Sequence, residues 1–287
     1  MRATHTWTQD TATIHIESLQ SPMRMLHITD AHVACIDDRD AEHQEACEHY
    51  RKQKESNEPL FHTLMAEASS MSLDLVALTG DITHYPAQAA IESISKAISQ
   101  VDVPVLYTSG NHDWWYPHIT GREELRSVWW PTLDPLTNGQ PSHASHTIGG
   151  IQFLLVDDST YQVNEEQLAF VQTSLKTELP TVLLTHIPIS LPTLRDRTIE
   201  KWRDPILIAD PNWPVERRDR WRTGADLPST LEFARTLASA ENLVAVFCGH
   251  IHFDHTDALT RHAVQYVGSP GFESGKRLVE FLPLSVK

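Results

Sequence analysis

Five short, almost wholly apolar segments of this chain each lead into an aspartate, asparagine or histidine, and no other feature restricts the fold as much. Met25–Thr29 is followed by Asp30-Ala31-His32, and Leu73–Thr79 by Gly80-Asp81. Val103–Thr108 leads to Gly110-Asn111-His112-Asp113, Thr181–Thr185 to His186, and Leu243–Phe247 to Gly249-His250-Ile251-His252. Apolar runs of this length, rich in β-branched residues and with no polar face, suit strands covered on both sides. Between them, Leu60 to about Met71, Pro86–Gln100, Gly121–Val128 and Asn164 to about Leu175 read as helices. Ile91, Ile94 and Ile98 form one face of the second; Asn164 caps the last, with Glu165 and Glu166 in its first turn. Strands alternating with helices predict an α/β fold, and open α/β sheets bind ligands at the carboxyl ends of their strands.

The remaining strand signals are Ala12–Glu17, a hairpin joining Thr147–Ile148 to Ile151–Val156 through Gly149-Gly150, and the closing strands Ala263–Val267 and Arg277–Leu282. With no repeat, low-complexity tract or linker, the 287 residues are expected to form one domain with insertions at about 37–58 and 187–229. Asp37–Glu58 holds His43, His49 and many acids, and reads as a solvated helix or mobile flap rather than a further metal site. Ile187–Ser229 shows no periodicity and is rich in Pro, Trp and Arg; a long irregular segment inside a compact domain is more often functional than idle.

A net charge of −15 disfavours a protein that grips long nucleic acid, because phosphate backbones attract basic surfaces. A small anionic substrate stays compatible, since bound cations would invert the local field. The three cysteines, Cys35, Cys47 and Cys248, form no disulfide framework. The N-terminus has no apolar signal core, and no run approaches the roughly 18 apolar residues of a membrane span. A cytoplasmic setting is the expectation.

Taken singly, an Asp-x-His or a Gly-Asp after a strand is more often a turn than a ligand pair. Gly-Asn-His-Asp is harder to dismiss, because three side chains with costly desolvation adjoin an apolar strand. Five such endings in one chain point to a site. On extended backbone, residues two apart point the same way, which would pair Asp30 with His32 and His250 with His252. Gly80, Gly110 and Gly249 would let the backbone turn and approach a bound ion or phosphate closely. Imidazole and carboxylate together suit Zn, Fe or Mn better than Mg or Ca.

The combined motifs resemble the calcineurin-like metallophosphoesterase superfamily, over most of the chain. The resemblance implies a four-layer α/β/β/α sandwich, two mixed sheets flanked by helices. It implies one metal ion held by Asp30, His32, Asp81 and His252, and a second by Asp81, Asn111, His186 and His250, with Asp81 bridging. No ligand position is replaced. The implied activity is hydrolysis of a small phosphodiester or phosphomonoester by a metal-bound hydroxide, with His112 as general acid or transition-state stabiliser and Asp113 orienting its ring. The Asp-x-His form favours a diesterase. The competing class is a non-catalytic scaffold or interaction protein using the same fold.

Other residues leave alternatives open. His84 is either support for a ligand or a substrate-facing group, and Cys248 reads as core. Seven of the eight tryptophans fall at 114–115, 129–130 and 202, 213 and 221; they either pack the core or line a cleft. The arginines and lysine of 187–229 either meet an anionic substrate or pair with the acids among them.

Overall fold

The computed structural model describes residues 1–120 and 123–284. Its strands form two six-stranded sheets, which pack face to face. The first contains β1 (Ala3–Trp7), β2 (Thr11–Ile16), β3 (Met23–Ile28), β4 (Leu75–Thr79), β5 (Val105–Thr108) and β12 (Arg277–Pro283), in the order β1-β2-β12-β3-β4-β5. The second contains β6 (His143–Ile148), β7 (Ile151–Val156), β8 (Thr181–Leu184), β9 (Leu243–Cys248), β10 (His255–Ala258) and β11 (Val264–Val267), in the order β10-β11-β9-β8-β7-β6. β3, β4 and β5 run parallel to one another, as do β7, β8, β9 and β11. β12 crosses back between β2 and β3, parallel to the first and antiparallel to the second, which makes the sheet mixed.

The period of two along a strand creates the layers. In β4, Leu75 and Ala77 point between the sheets, where they join Met25, Phe153, Leu155, Phe247 and Phe281. Val76 and Leu78 point outward, onto α2 (Asn57–Ser70) and α3 (Gln88–Ile98) through Phe61, Leu64, Ile91 and Ile94. β9 does the same on the other side, sending Val246 and Cys248 outward into a cluster with Val171 of α5 (Glu165–Ser174) and with Phe233 and Leu237 of α8 (Pro228–Ser239). The result is the expected sandwich of helices, sheet, sheet and helices.

Several boundaries move. α2 starts at Asn57, ahead of the predicted Leu60, and α4 (Glu123–Thr137) runs well beyond Val128 with Pro131 and Pro135 inside it; Gly121, where that helix is predicted to start, lies outside the described residues. β1 and β10 carry no apolar signal because both are largely polar and solvent-facing. The segment read as flap or helix contains α1 (Ala41–Gln53). The segment read as irregular contains α6 (Pro192–Trp202) and the single turn α7 (Val215–Arg218). Among the described residues all three cysteines are free thiols, and no helix is long and apolar enough to cross a membrane.

Candidate metal centre

The ends of β3, β4, β5, β8 and β9 meet at one edge of the sandwich and bring the predicted residues together. Asp30, His32, Asp81 and His252 offer ligand atoms within 4.8 Å of one another, and so do Asp81, His186 and His250. Asp81 is common to both groups. Its Oδ2 lies 3.7 Å from His32 Nε2 and 3.3 Å from His186 Nε2, while Oδ1 accepts the His112 backbone N–H at 2.7 Å. Asp30 Oδ1 is 3.4 Å from His252 Nε2, and the His32 and His252 Nε2 atoms approach to 3.1 Å.

The backbone achieves this convergence differently from the extended alternation read from the sequence. Asp30, His32, Asp81, His250 and His252 all adopt positive φ, between 49° and 72°, a conformation unfavourable for residues other than glycine. β3, β4 and β9 therefore each break into a left-handed turn, and the turns aim the side chains inward. Buttressing hydrogen bonds hold these turns: Asp30 N–H donates to Gly80 O and His32 N–H to Asp81 O. The glycines also have another role than approach to a ligand. A Cβ on Gly249 would lie 1.9 Å from Thr29 Oγ1 and 2.3 Å from Asp30 Oδ2, and one on Gly110 would lie 2.3 Å from Asp81 Oδ1. These glycines make room for the site's own carboxylates.

Hydrogen bonds fix how the imidazoles present themselves. His186 Nδ1 lies 2.8 Å from the Thr79 carbonyl, which can only accept; the ring proton therefore sits on Nδ1 and the Nε2 lone pair faces Asp81. Tyr161 OH meets His250 Nε2 at 3.0 Å, leaving Nδ1 for the cluster. His186 Nε2 and Asn111 Oδ1 are buried with no hydrogen-bond partner in the protein. Buried polar atoms are almost always satisfied, so two orphaned acceptors beside a shared carboxylate mark positions for a cation. The electrostatics agree. Burial lowers the His186 imidazole, but the charges of Asp81 and Asp30 together with the hydrogen bonds to Asp81 and Thr79 more than offset it, raising the group to about 10, the signature of a field that draws in positive charge. Burial holds His32 and His250 well below the usual histidine range, in the neutral form that ligates. This donor set fits divalent or transition metal ions.

His112 stands beside the cluster on partly exposed ground. Its ring stacks on His84, with centroids 4.4 Å apart and planes 20° apart, and its Nδ1 lies 3.4 Å from the His84 carbonyl. Asp113, expected to orient that ring, is instead wholly buried. Its carboxylate accepts backbone N–H groups from Gly110 at 2.6 Å and from Asp81 and Thr83 at 2.9 Å, and so ties two of the ligand loops together. Burial and the neighbouring Asp81 push Asp113 up to about 8. The reason for the difference is that these three amides take up the Asp113 carboxylate.

His84 is buried, and its Nδ1 lies 3.0 Å from His32 Nδ1. His32, His84 and His112 are themselves close enough to share an ion. However, the stacked planes of His84 and His112 cannot both contain one ion, so this trio reads as packing and hydrogen bonding. Two supporting residues were not anticipated from the sequence. Asp158 accepts the N–H groups of His186 and Ile187 at 3.0 and 3.1 Å, and Tyr161 holds His250. A signal existed, because β7 also ends in acid, Asp157-Asp158.

The two predicted insertions reach the site. From 37–58, Tyr50 of α1 packs on His84. From 187–229, Trp202 Nε1 and Lys201 Nζ donate to the carbonyls of Ile251 and His252 at 2.9 and 2.6 Å. His43 stacks on Tyr116 and forms no metal-sized cluster among the described residues. The tryptophans divide. Trp114 and Trp213 are buried, Trp129 and Trp130 pack against the first helical layer, and Trp115 and Trp221 line a pocket beside Asn111 and His112.

The model of a family described as calcineurin-like phosphoesterase matches residues 23–254. No curated protein matches the chain by sequence. Among solved structures, the chain is similar to a dimetal phosphatase from Danio rerio, with 13% identity, 88% of this chain and 89% of that chain covered, and a TM-score of 0.55. It is also similar to a purple acid phosphatase from yellow lupin (Lupinus luteus) seeds, with 13% identity, 92% and 46% covered, and a TM-score of 0.56. At such identities the likeness is one of fold.

Proposed function

This chain belongs to the calcineurin-like phosphoesterase family, and we infer that it hydrolyses a small phosphodiester at a centre of two metal ions. The observation that carries the reading is the pair of orphaned buried acceptors, Asn111 Oδ1 and His186 Nε2, beside a carboxylate common to two ligand groups. Asp30, His32, Asp81 and His252 would hold one ion, and Asp81, Asn111, His186 and His250 the other. The mixed imidazole and carboxylate set favours Mn, Fe or Zn. When bound, such ions polarise the phosphoryl group and make water acidic enough to attack at neutral pH.

The remaining work falls to the chain itself. Asp81 Oδ2 lies near both His32 and His186, so Asp81 would serve both ion positions, while its Oδ1 anchors the His112 backbone. Asp113 and Asp158 hold the ligand loops through backbone N–H groups, so the donors need not reorganise when substrate arrives. His112 faces the pocket without belonging to either ligand group and is the candidate donor of a proton to the departing alkoxide. Burial lowers its pKa, and a bound phosphate dianion or monoanion would raise it again. The segments 37–58 and 187–229 act as a cap over this edge, and the net charge of −15 favours small substrates over long nucleic acid.

The test pairs metal analysis with turnover of bis(4-nitrophenyl) phosphate and of 4-nitrophenyl phosphate. Two equivalents of metal, turnover stimulated by Mn, and faster cleavage of the diester are expected. A metal-replete protein inert towards both esters would instead indicate a scaffold.

A further inference from the structure

The pocket next to Asn111 and His112 is closed on its far side by residues of the 187–229 insertion. It encloses about 190 Å³, and Tyr50, Trp115, Tyr161, Trp221 and Arg222 are among its walls. Four of the insertion's eight basic residues pair with its own acids. Arg217 and Arg220 reach Asp204 at 2.7 and 3.3 Å, Arg218 grips Asp226 at 2.6 Å, and Arg195 meets Asp196 at 3.2 Å.

Arg222 is the exception within the pocket. Its guanidinium lies 3.8 Å from the centroid of the Trp115 ring, and Nη1 donates to the Ile119 carbonyl at 2.7 Å. Among the side chains described outside 121–124, no carboxylate lies within ion-pair distance of it, and its Nε and Nη2 groups have no hydrogen-bond acceptor. Half-buried cations without a counter-charge are costly, and burial lowers the Arg222 pKa accordingly. Its backbone is also held at φ 59°, a left-handed conformation that a side chain disfavours. A guanidinium held over an indole in the wall of a pocket, with donors unpaired, is suited to bind a phosphate through two N–H bonds.

We propose that this pocket receives the part of the substrate beyond the cleaved phosphorus, and that this part carries a second phosphoryl group bound by Arg222 on the Trp115 platform. The inference rests on the phosphoesterase reading of the adjoining cluster and names its substrate class: small esters with two phosphoryl groups, one cleaved and one recognised. It accounts for an arginine that stands in the wall of the pocket without an ion pair among the described side chains, where its pocket neighbour Arg220 pairs with Asp204.

The experiment uses 4-nitrophenyl alkyl phosphodiesters whose alkyl chains end either in a second phosphate or in a hydroxyl, over a series of chain lengths. For each protein the readout is the ratio of kcat/KM for the two endings, which cancels any difference in the folded fraction of a preparation. The wild type is expected to prefer the phosphate ending at one chain length or more. Arg222→Gln should reduce that preference about 10- to 100-fold, the range for a hydrogen bond to a charged group. Arg222→Lys should retain part of it, and Arg217→Gln, which alters a pair outside the pocket, should leave the ratio unchanged. A wild type that cleaves the esters without preferring the phosphate ending at any length, or an Arg222→Gln protein with the wild-type ratio, overturns the subsite and leaves the phosphoesterase standing. Failure of the metal-replete wild type on every ester overturns the underlying reading and the subsite together.

Discussion

Asp81 and Arg222 both sit on left-handed backbone, at φ 51° and 59°, yet they came to those conformations by different routes. Asp81 ends a buried strand, and its loop is held by Asp113 through amides of residues close by in space on neighbouring strand ends. Arg222 follows a short turn in a long insertion, and the carbonyl that positions its side chain belongs to Ile119, 103 residues away in the chain. The strand-end half of the site is built from local rules repeated five times. The insertion half depends on one particular docking of distant segments, and nothing repeats. The first half therefore sets the chemistry, and the second is free to set the substrate.

This contrast explains what was legible. A strand buried on both faces announces itself as a continuous apolar run, and the residue after it sits at the crevice; Asp30, Asp81, Asn111, His186 and His250 are all found that way. The turns that aim them were not legible, because positive φ at Asp30, His32 and His252 occurs without a glycine at the position, accompanied at Asp30 and His32 by hydrogen bonds to the neighbouring loop. The contacts of Asp113 were not legible for a similar reason, since its carboxylate binds the backbone N–H groups of Gly110, Asp81 and Thr83. In the insertion, eight basic residues and seven acids looked mutually cancelling, and only the fold reveals which of them pair and that Arg222 stands in the pocket wall.

The sharpest way to break the comparison is at the residue both ligand groups share. Asp81→Asn keeps the shape and hydrogen-bonding reach while removing the negative charge. Both ion positions should weaken, and turnover of bis(4-nitrophenyl) phosphate should fall by about 10⁴-fold, the scale seen when a member of a cooperating catalytic unit is removed. Metal analysis of the purified protein checks the cause: retention of two equivalents would show that Asp81 is not the common ligand.

His112 tests whether binding ions and performing the reaction are separable within the strand-end half. His112→Ala should keep the metal content and thermal stability of the wild type and lower kcat by about 10²- to 10⁴-fold. The loss should shrink for an ester whose leaving group needs no proton, such as a 4-nitrophenyl ester, relative to an alkyl ester. Equal losses on both would assign His112 to positioning the phosphoryl group rather than to protonating the leaving oxygen.

The smallest of these effects concerns His84, which belongs to neither ligand group and yet touches one. His32 Nε2 faces Asp30, Asp81 and His252, so a ligating role requires its proton to sit on Nδ1, 3.0 Å from His84 Nδ1. In that arrangement His32 donates and His84 accepts, which sets the His32 tautomer and raises its basicity. His84→Ala removes the acceptor and should weaken metal affinity by about 10- to 100-fold, measured by competition with a chelating dye. His84→Gln, with a carbonyl oxygen able to accept the same proton, should recover part of that affinity. The alternative cause is lost packing, because His84 also stacks on His112 and meets Tyr50. Packing loss would lower the melting temperature of both variants alike and leave their metal affinities equal, whereas recovery in His84→Gln alone assigns the effect to the hydrogen bond.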